Sequence, residues 1–279
     1  MMNVTMRWIG AVALAPLLAC PAFSEAGDTP GKDERDILTV FSADTACVHW
    51  ADGQDWTTEF VFVNLSAQPQ SGRLEIRNSE GRPQEVDMRG IGRRSSFDIR
   101  LNGYGSLRLE THGTSSSLTQ GTAELVLPDL QASLDNKIGA SVIFRRKLTG
   151  GPTYEASAPF STLFTEKGYL PFDHRDGHVS GVAIANLSPG ADRVLLLQFF
   201  EEDGTPMGSY NLYMPSGSHR AFSLAGEIPE VNGKAGMLVV SVQRGAGILG
   251  IGLLGLRFNP NGSFTTITPM ISADEDLEF

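Results

Sequence analysis

An internal echo constrains this chain more than any other feature. Phe60-Val61-Phe62-Val63-Asn64-Leu65-Ser66 is answered by Val182-Ala183-Ile184-Ala185-Asn186-Leu187-Ser188, an apolar strand ending in the same Asn-Leu-Ser turn. Glu80-Gly81-Arg82-Pro83 then answers Asp203-Gly204-Thr205-Pro206, a turn in which glycine supplies a positive φ. Ser96-Phe97-Asp98-Ile99 answers Ser209-Tyr210-Asn211-Leu212, and Gly105-Ser106-Leu107-Arg108 answers Gly217-Ser218-His219-Arg220. Val142-Ile143-Phe144-Arg145 answers Leu254-Gly255-Leu256-Arg257, and Ala158-Pro159 answers Thr268-Pro269. Correspondences kept in chain order predict one structural unit written twice. An extra stretch at residues 84–92 of the first copy reads as a longer hairpin or loop.

Within each copy the local signal is strand. Short runs of β-branched and apolar residues are bounded by Gly, Pro, Asn or Ser, with no helical period between them. Leu74-Glu75-Ile76-Arg77 alternates, giving one wet and one dry face, whereas residues 194–200 are apolar but for Gln198 and suit a central strand. The chain has 279 residues, enough for two such units, and 41% hydrophobic against 19% charged residues provides the apolar material for packed interiors. The expected fold class is all-β: two tandem antiparallel β-sandwich (Ig-like) domains after an N-terminal signal segment, each closing two sheets over its own interior. The expected division is 1–24 signal peptide, 25–36 polar linker, 37–165 first sandwich, 166–273 second sandwich and 274–279 acidic tail. The glycine-rich apolar run at 245–256 is too short to span a bilayer and reads as a buried strand.

The start of the chain is an address. Arg7 precedes an apolar stretch, Trp8 to Ala19, and Ala22-Phe23-Ser24 offers small residues at the positions signal peptidase reads, so cleavage before Glu25 is expected. A second reading competes: Leu17-Leu18-Ala19-Cys20 resembles a bacterial lipobox, in which Cys20 is lipidated and becomes the first mature residue. Either way the protein is exported: secreted, periplasmic or at the cell surface. Membrane attachment follows only if Cys20 carries lipid. Of the two cysteines, Cys47 alone remains, so it reads as a small buried hydrophobe with no intrachain disulfide.

The formal net charge of −10, with no basic stripe interleaved with aromatics, argues against nucleic acid as a partner. The expected partner is an extracellular ligand, glycan or protein. No Gly-x-Ser-x-Gly elbow and no phosphate-cradling glycine loop occurs, and none of His49, His112, His174, His178 and His219 sits in a motif pairing it with a nucleophile and an acid. The chain therefore reads as a non-enzymatic protein without a cofactor. A triad assembled only in space stays open as a third reading.

Two groups of residues stand out as candidate sites. Asp173, His174, Asp176 and His178 place two imidazoles and two carboxylates close together, a composition that suits a divalent metal, although a solvated connecting loop has the same composition. Trp50 and Trp56 flank an Asp-Gly turn, and exposed together they would stack on sugar rings as a carbohydrate-binding module; turned inward they would plug the end of a sandwich. The acidic turns at Asp52 and Asp55 and at Glu201-Glu202-Asp203 lack the spacing of an EF-hand calcium loop.

The segment His49-Trp50-Ala51-Asp52-Gly53-Gln54-Asp55-Trp56-Thr57-Thr58 resembles the opening of tandem repeats found in exported bacterial proteins of unknown function. Those repeats open on Ala-Asp-Gly and a Trp-Thr pair, run through a strand to an Asn turn, and close on an apolar-Arg strand and an Ala-Pro. Ile143-Phe144-Arg145 and Glu155-Ala156-Ser157-Ala158-Pro159 match that close, while the second copy lacks the Trp-Thr pair. The resemblance implies a secreted or surface β-sandwich protein and brings no catalytic residues.

Overall fold

The computed structural model describes residues 45–272 apart from 129–131, 133–134, 161–162, 165–166, 189 and 244–249. The signal segment with Cys20, the polar linker and the acidic tail lie outside the described residues.

The chain is all-β. The first half holds β1 (Ala46–Asp52), β2 (Trp56–Asn64), β3 (Gln70–Asn78), β4 (Val86–Met88), β5 (Gly92–Arg94), β6 (Ser96–Leu101), β7 (Ser106–Glu110), β8 (Thr119–Val126), β9 (Ile138–Lys147) and β10 (Thr153–Pro159). The second holds β11 (Leu163–Phe164), β12 (Lys167–Asp173), β13 (Val179–Asn186), β14 (Arg193–Glu201), β15 (Pro206–Met214), β16 (His219–Ser223), β17 (Ala235–Gln243), β18 (Ile251–Phe258), β19 (Phe264–Ile267) and β20 (Met270–Ser272). A helical turn, Leu224–Glu227, and a 3-10 turn, Pro229–Val231, follow β16.

The strands build antiparallel sheets in a sandwich-like arrangement. In the first half the orders are β1-β8-β3-β6 and β10-β9-β2-β7; in the second they are β15-β14-β17-β12-β20 and β11-β18-β13-β16, with β19 also on β18. Setting aside the hairpin β4–β5 and the short strands β11 and β20, each half bonds its first, sixth, third and fourth strands in one sheet. Its eighth, seventh, second and fifth strands form the other. This is not the immunoglobulin order, in which the sixth and seventh strands are sheet neighbours; here β8 and β9 lie in different sheets. The residues that set the first half apart fold as β4–β5, with Val86 paired to Arg94.

Period-two patterning explains which way each strand faces. In β6, Phe97, Ile99 and Leu101 are buried while Asp98 and Arg100 face water. Two apolar clusters result. One is confined to the second half and includes Val182, Ile184, Leu195, Leu197, Leu238, Val240, Ile251 and Leu253. The other gathers Trp50, Phe60, Phe62, Leu74, Ile76, Leu125 and Phe144 of the first half, and with them Ala183, Ala185, Leu254, Leu256, Phe258 and Phe264 of the second. The first half's interior is therefore not its own. The sheet carrying β13 and β18 is covered on both faces, its odd residues on β13 and even residues on β18 facing the first half.

β1 makes this joint possible. All seven of its residues are buried. Its pairing with β8 shifts between Cys47 and Trp50, a bulge that sets Val48 and His49 against one partner residue. Val48 lies against Gly252, where a Cβ would fall 2.6 Å from Val48 Cγ2, so only glycine admits this approach.

Candidate functional site

The Ala-Asp-Gly…Trp-Thr-Thr segment is a corner that carries the chain from β1 in one sheet to β2 in the other. Gly53 and Trp56 exchange main-chain hydrogen bonds of 3.0 Å, with Gly53 at φ +94° and Gln54 at φ +52°. The Thr58 hydroxyl donates to the Ala51 carbonyl at 2.8 Å and accepts from the Ala51 N–H at 3.0 Å. The Asp52 carboxylate accepts from the Gly113 N–H at 2.8 Å. Asp52 and Thr58 thus satisfy main-chain groups at a buried bend.

The two tryptophans do not form an exposed platform. Trp50 is 0% exposed, and its Nε1–H donates to the Arg77 and Thr122 carbonyls. Gly121, paired with Trp50, leaves the main chain bare beside the indole; a Cβ there would collide with the Arg77 carbonyl. Trp56 is half-buried, edge-on to Phe264 at 5.0 Å and Phe258 at 6.2 Å. The Arg146 guanidinium covers it, 5.6 Å from the Trp56 ring and 6.0 Å from Phe258, while its Nε and Nη1 are buried without a hydrogen-bond partner. Cation–π attraction replaces those bonds. Burying Trp50 removes one of the two rings a sugar would need.

His49 and His219 meet where the halves join. His49 Nδ1 and His219 Nε2 are 3.0 Å apart, and the rings stack with centroids at 5.1 Å. His219 Nδ1 lies 3.4 Å from Ser79 Oγ, and the His219 N–H donates to the Ser79 carbonyl. Burial pushes the His49 imidazole down to about 4, and burial with the neighbouring His49 holds His219 well below its ordinary value. Serine, histidine and a third orienting side chain are in line, yet a working triad needs that third group to stabilise an imidazolium. A neutral imidazole carries no negative charge with which to do so. Cys47 is equally inert, since burial pushes its thiol up to about 12 and its Sγ–H donates to the His49 carbonyl.

Beside this joint lies a cleft of about 280 Å³, walled by Arg77, Thr122 and Glu124 of the first half and by Leu187, Ser188, Ser216 and Gly217 of the second. Its two sides touch where Gly81 meets Gly217, which leaves no room for a Cβ on Gly81. Glu124 stands directly opposite Glu75 in the β3–β8 pair, and Glu75 is the one bonded by Arg77, at 2.9 Å. Burial, with the Glu75 charge adding to it and Arg77 opposing, lifts the Glu124 carboxyl to about 7.

The Asp173–His178 loop is an ion-paired turn. The Asp173 carboxylate accepts from the Arg175 main-chain N–H at 3.0 Å, the Arg175 Nε at 3.1 Å and the Arg257 Nη2 at 3.1 Å; these contacts, the Arg175 guanidinium foremost, hold it below the usual carboxylate range. Asp176 and Gly177 adopt left-handed φ values of +51° and +78°, and the His178 N–H closes the turn on the Arg175 carbonyl. His174 is buried beside Phe172, with Nε2 unbonded and its basicity lowered by burial. The four residues are not brought together around one point. Among the described residues, no three His, Cys, Asp or Glu side chains are assembled to hold a metal ion.

Sequence reading passes over Glu124, Ser79 and the His49–His219 contact. The imidazoles are 170 residues apart, and no local pattern joins them. The one legible signal is that Glu75 and Glu124 both fall at outward positions of neighbouring strands. No family model matches the chain, and no curated protein is significantly similar to it.

Proposed function

We propose that this is an exported, non-catalytic protein that works by binding, in adhesion, assembly or ligand display, on two tandem β-sandwich units built to one plan. The common strand order of the two halves supports the tandem reading. Export rests on the Trp8–Ala19 stretch and the small residues before Glu25.

The observation that carries the non-catalytic part is the fate of the reactive side chains. His49, His219, His174 and Cys47 are buried in packing, the exposed His112 contacts the Asp87 carboxylate at 3.2 Å, and the one serine–histidine side-chain contact among the described residues ends on a second neutral imidazole. A rigid scaffold with chemically quiet walls suits recognition by shape and main chain. Purified mature protein is expected to turn over none of a panel of ester, peptide and glycoside substrates. Turnover that disappears in a His219→Gln variant would overturn the reading. Mass spectrometry of the mature N-terminus then separates release after Ser24 from lipid on Cys20.

A further inference from the structure

The strand edges of this protein are not equally protected. An edge strand presents unpaired N–H and C=O groups to any other chain, and proteins usually blunt such edges with charge, burial or brevity. β6 carries Asp98 and Arg100, and β7 carries Arg108 and Glu110. β1 is buried, and β10 lies against β19, with Thr266 Oγ1–H donating to the Ser157 carbonyl. β16 carries Arg220 against Glu227, and β20 has only three residues.

β15 is the exception. It is the outer strand of its sheet, nine residues long, without one charged side chain, and exposed over most of its length. Among the described residues its main-chain bonds run to β14, apart from the Met214 carbonyl at its end, which accepts from the Asn186 side-chain amide. A bulge at its start, where Gly208 takes φ +150°, leaves residues 209–214 in regular register.

A groove of about 280 Å³ runs alongside that start, between β15 and the two helical turns. Phe199, Met207, Tyr210, Ile228 and Val231 give it an apolar floor. Tyr210 pairs with Leu197, so it lies on the inward-facing side of the strand. A strand added beside β15 would send every second side chain to that side. The lip is acidic: Glu227 and Glu230 border the groove, and the turn leading into β15 is Glu201-Glu202-Asp203. Lys234, Arg175 and Arg220 pair with Glu201, Glu202 and Glu227, which leaves Asp203 and Glu230 without an ion pair among the described residues.

The geometry points to β15 as a docking edge for an extended segment of another polypeptide, in which apolar residues alternate with Lys or Arg. The segment would extend the sheet by main-chain hydrogen bonds, drop an apolar side chain into the groove and set its cations against the unpaired Glu230 and against Glu227, whose exposed 3.8 Å pair with Arg220 leaves the carboxylate open to a second cation. This rests on the binding function proposed above and names its surface. A second copy of this chain fits poorly, because pairing two such edges brings two acidic lips of a protein of net charge −10 together.

The test uses the mature protein and a labelled short peptide alternating Leu and Lys. Two control peptides replace Lys by Glu, or N-methylate alternate backbone amides. The Leu-Lys peptide should bind saturably, at least tenfold more tightly than either control, and should slow hydrogen exchange in residues 206–214. A Glu227→Lys/Glu230→Lys variant should favour the Leu-Glu peptide instead.

Equal binding of the N-methylated peptide, failure of the Leu-Lys peptide to bind, or exchange protection elsewhere would overturn the docking edge and leave the wider binding reading standing. Catalytic turnover would overturn the wider reading and leave the edge untouched. Self-association abolished by Asn211→Lys, with no response to peptide, would assign the edge to a second copy and refute the proposal.

Discussion

Replacing Glu124 by glutamine should make the protein more stable in alkali and leave it unchanged in mild acid. The folded protein keeps the Glu124 carboxyl protonated up to about 7, whereas the unfolded chain ionises it near 4.5. Between those values the folded state holds a proton that the unfolded state has released. Wild-type stability from this group is therefore full below pH 4.5 and declines until about pH 7. At about 1.4 kcal/mol per pH unit the decline reaches about 3 kcal/mol. The glutamine amide has no proton to lose, keeps the shape of the side chain and does not repel Glu75. At pH 8.5 the Glu124→Gln variant should thus gain up to about 3 kcal/mol in urea unfolding, or roughly 6–12 °C in melting temperature for a protein of this size. At pH 4.5 the two proteins should agree within about 0.5 kcal/mol. A gap of equal size at both pH values, or a variant less stable than wild type at pH 8.5, would refute the reasoning.

Acid should act through the histidines with the opposite sign. His49 is pushed down to about 4 and His219 lower than its ordinary value, so the unfolded chain takes up protons below pH 6.5 that the folded chain refuses. Stability should fall by about 3 kcal/mol from His49 alone between pH 6.5 and 4, read as a drop in urea midpoint, and a His219→Phe variant should decline less steeply. Trp50→Phe removes the indole donor to two carbonyls at a fully buried position and should cost about 1–3 kcal/mol by the same assay. Cys47 should resist a thiol reagent such as dithionitrobenzoate in the folded mature protein and react promptly in urea, its buried thiol being pushed up to about 12. Reaction in the folded state at the unfolded rate would contradict its burial.

The β content was legible because period-two patterning and turn residues act locally. Asn64 and Asn186 show how well a turn can be read: each Nδ2–H donates to two or more carbonyls, and each Oδ1 accepts the main-chain N–H two residues on. Register was less legible. Asn64 pairs with Ile138 and Asn186 with Ile251, so, counting from those asparagines, Val142 falls level with Gly255 and not with Leu254. One residue of slip exchanges the two faces of a strand. That error hid the outward face of β18, the face that packs on the first half. The candidate sites fared unevenly for the same reason. Composition flagged Trp50 and the Asp173–His178 loop, but burial and ion pairing depend on distant partners such as Thr122 and Arg257, which no local pattern reveals.

Gly252 and the bulged pair Val48–His49 make the joint between the halves a matter of fit as well as grease. A module that hangs on a linker can be excised, shuffled or multiplied without regard to its neighbour. These halves cannot, because cutting the chain near residue 160 would strand Ala183, Leu254 and Phe258 in water on one fragment and open the Phe60–Phe144 interior on the other. Duplication of such a unit in evolution would therefore have to be followed by mutual tailoring, and the present pair should melt as one cooperative body.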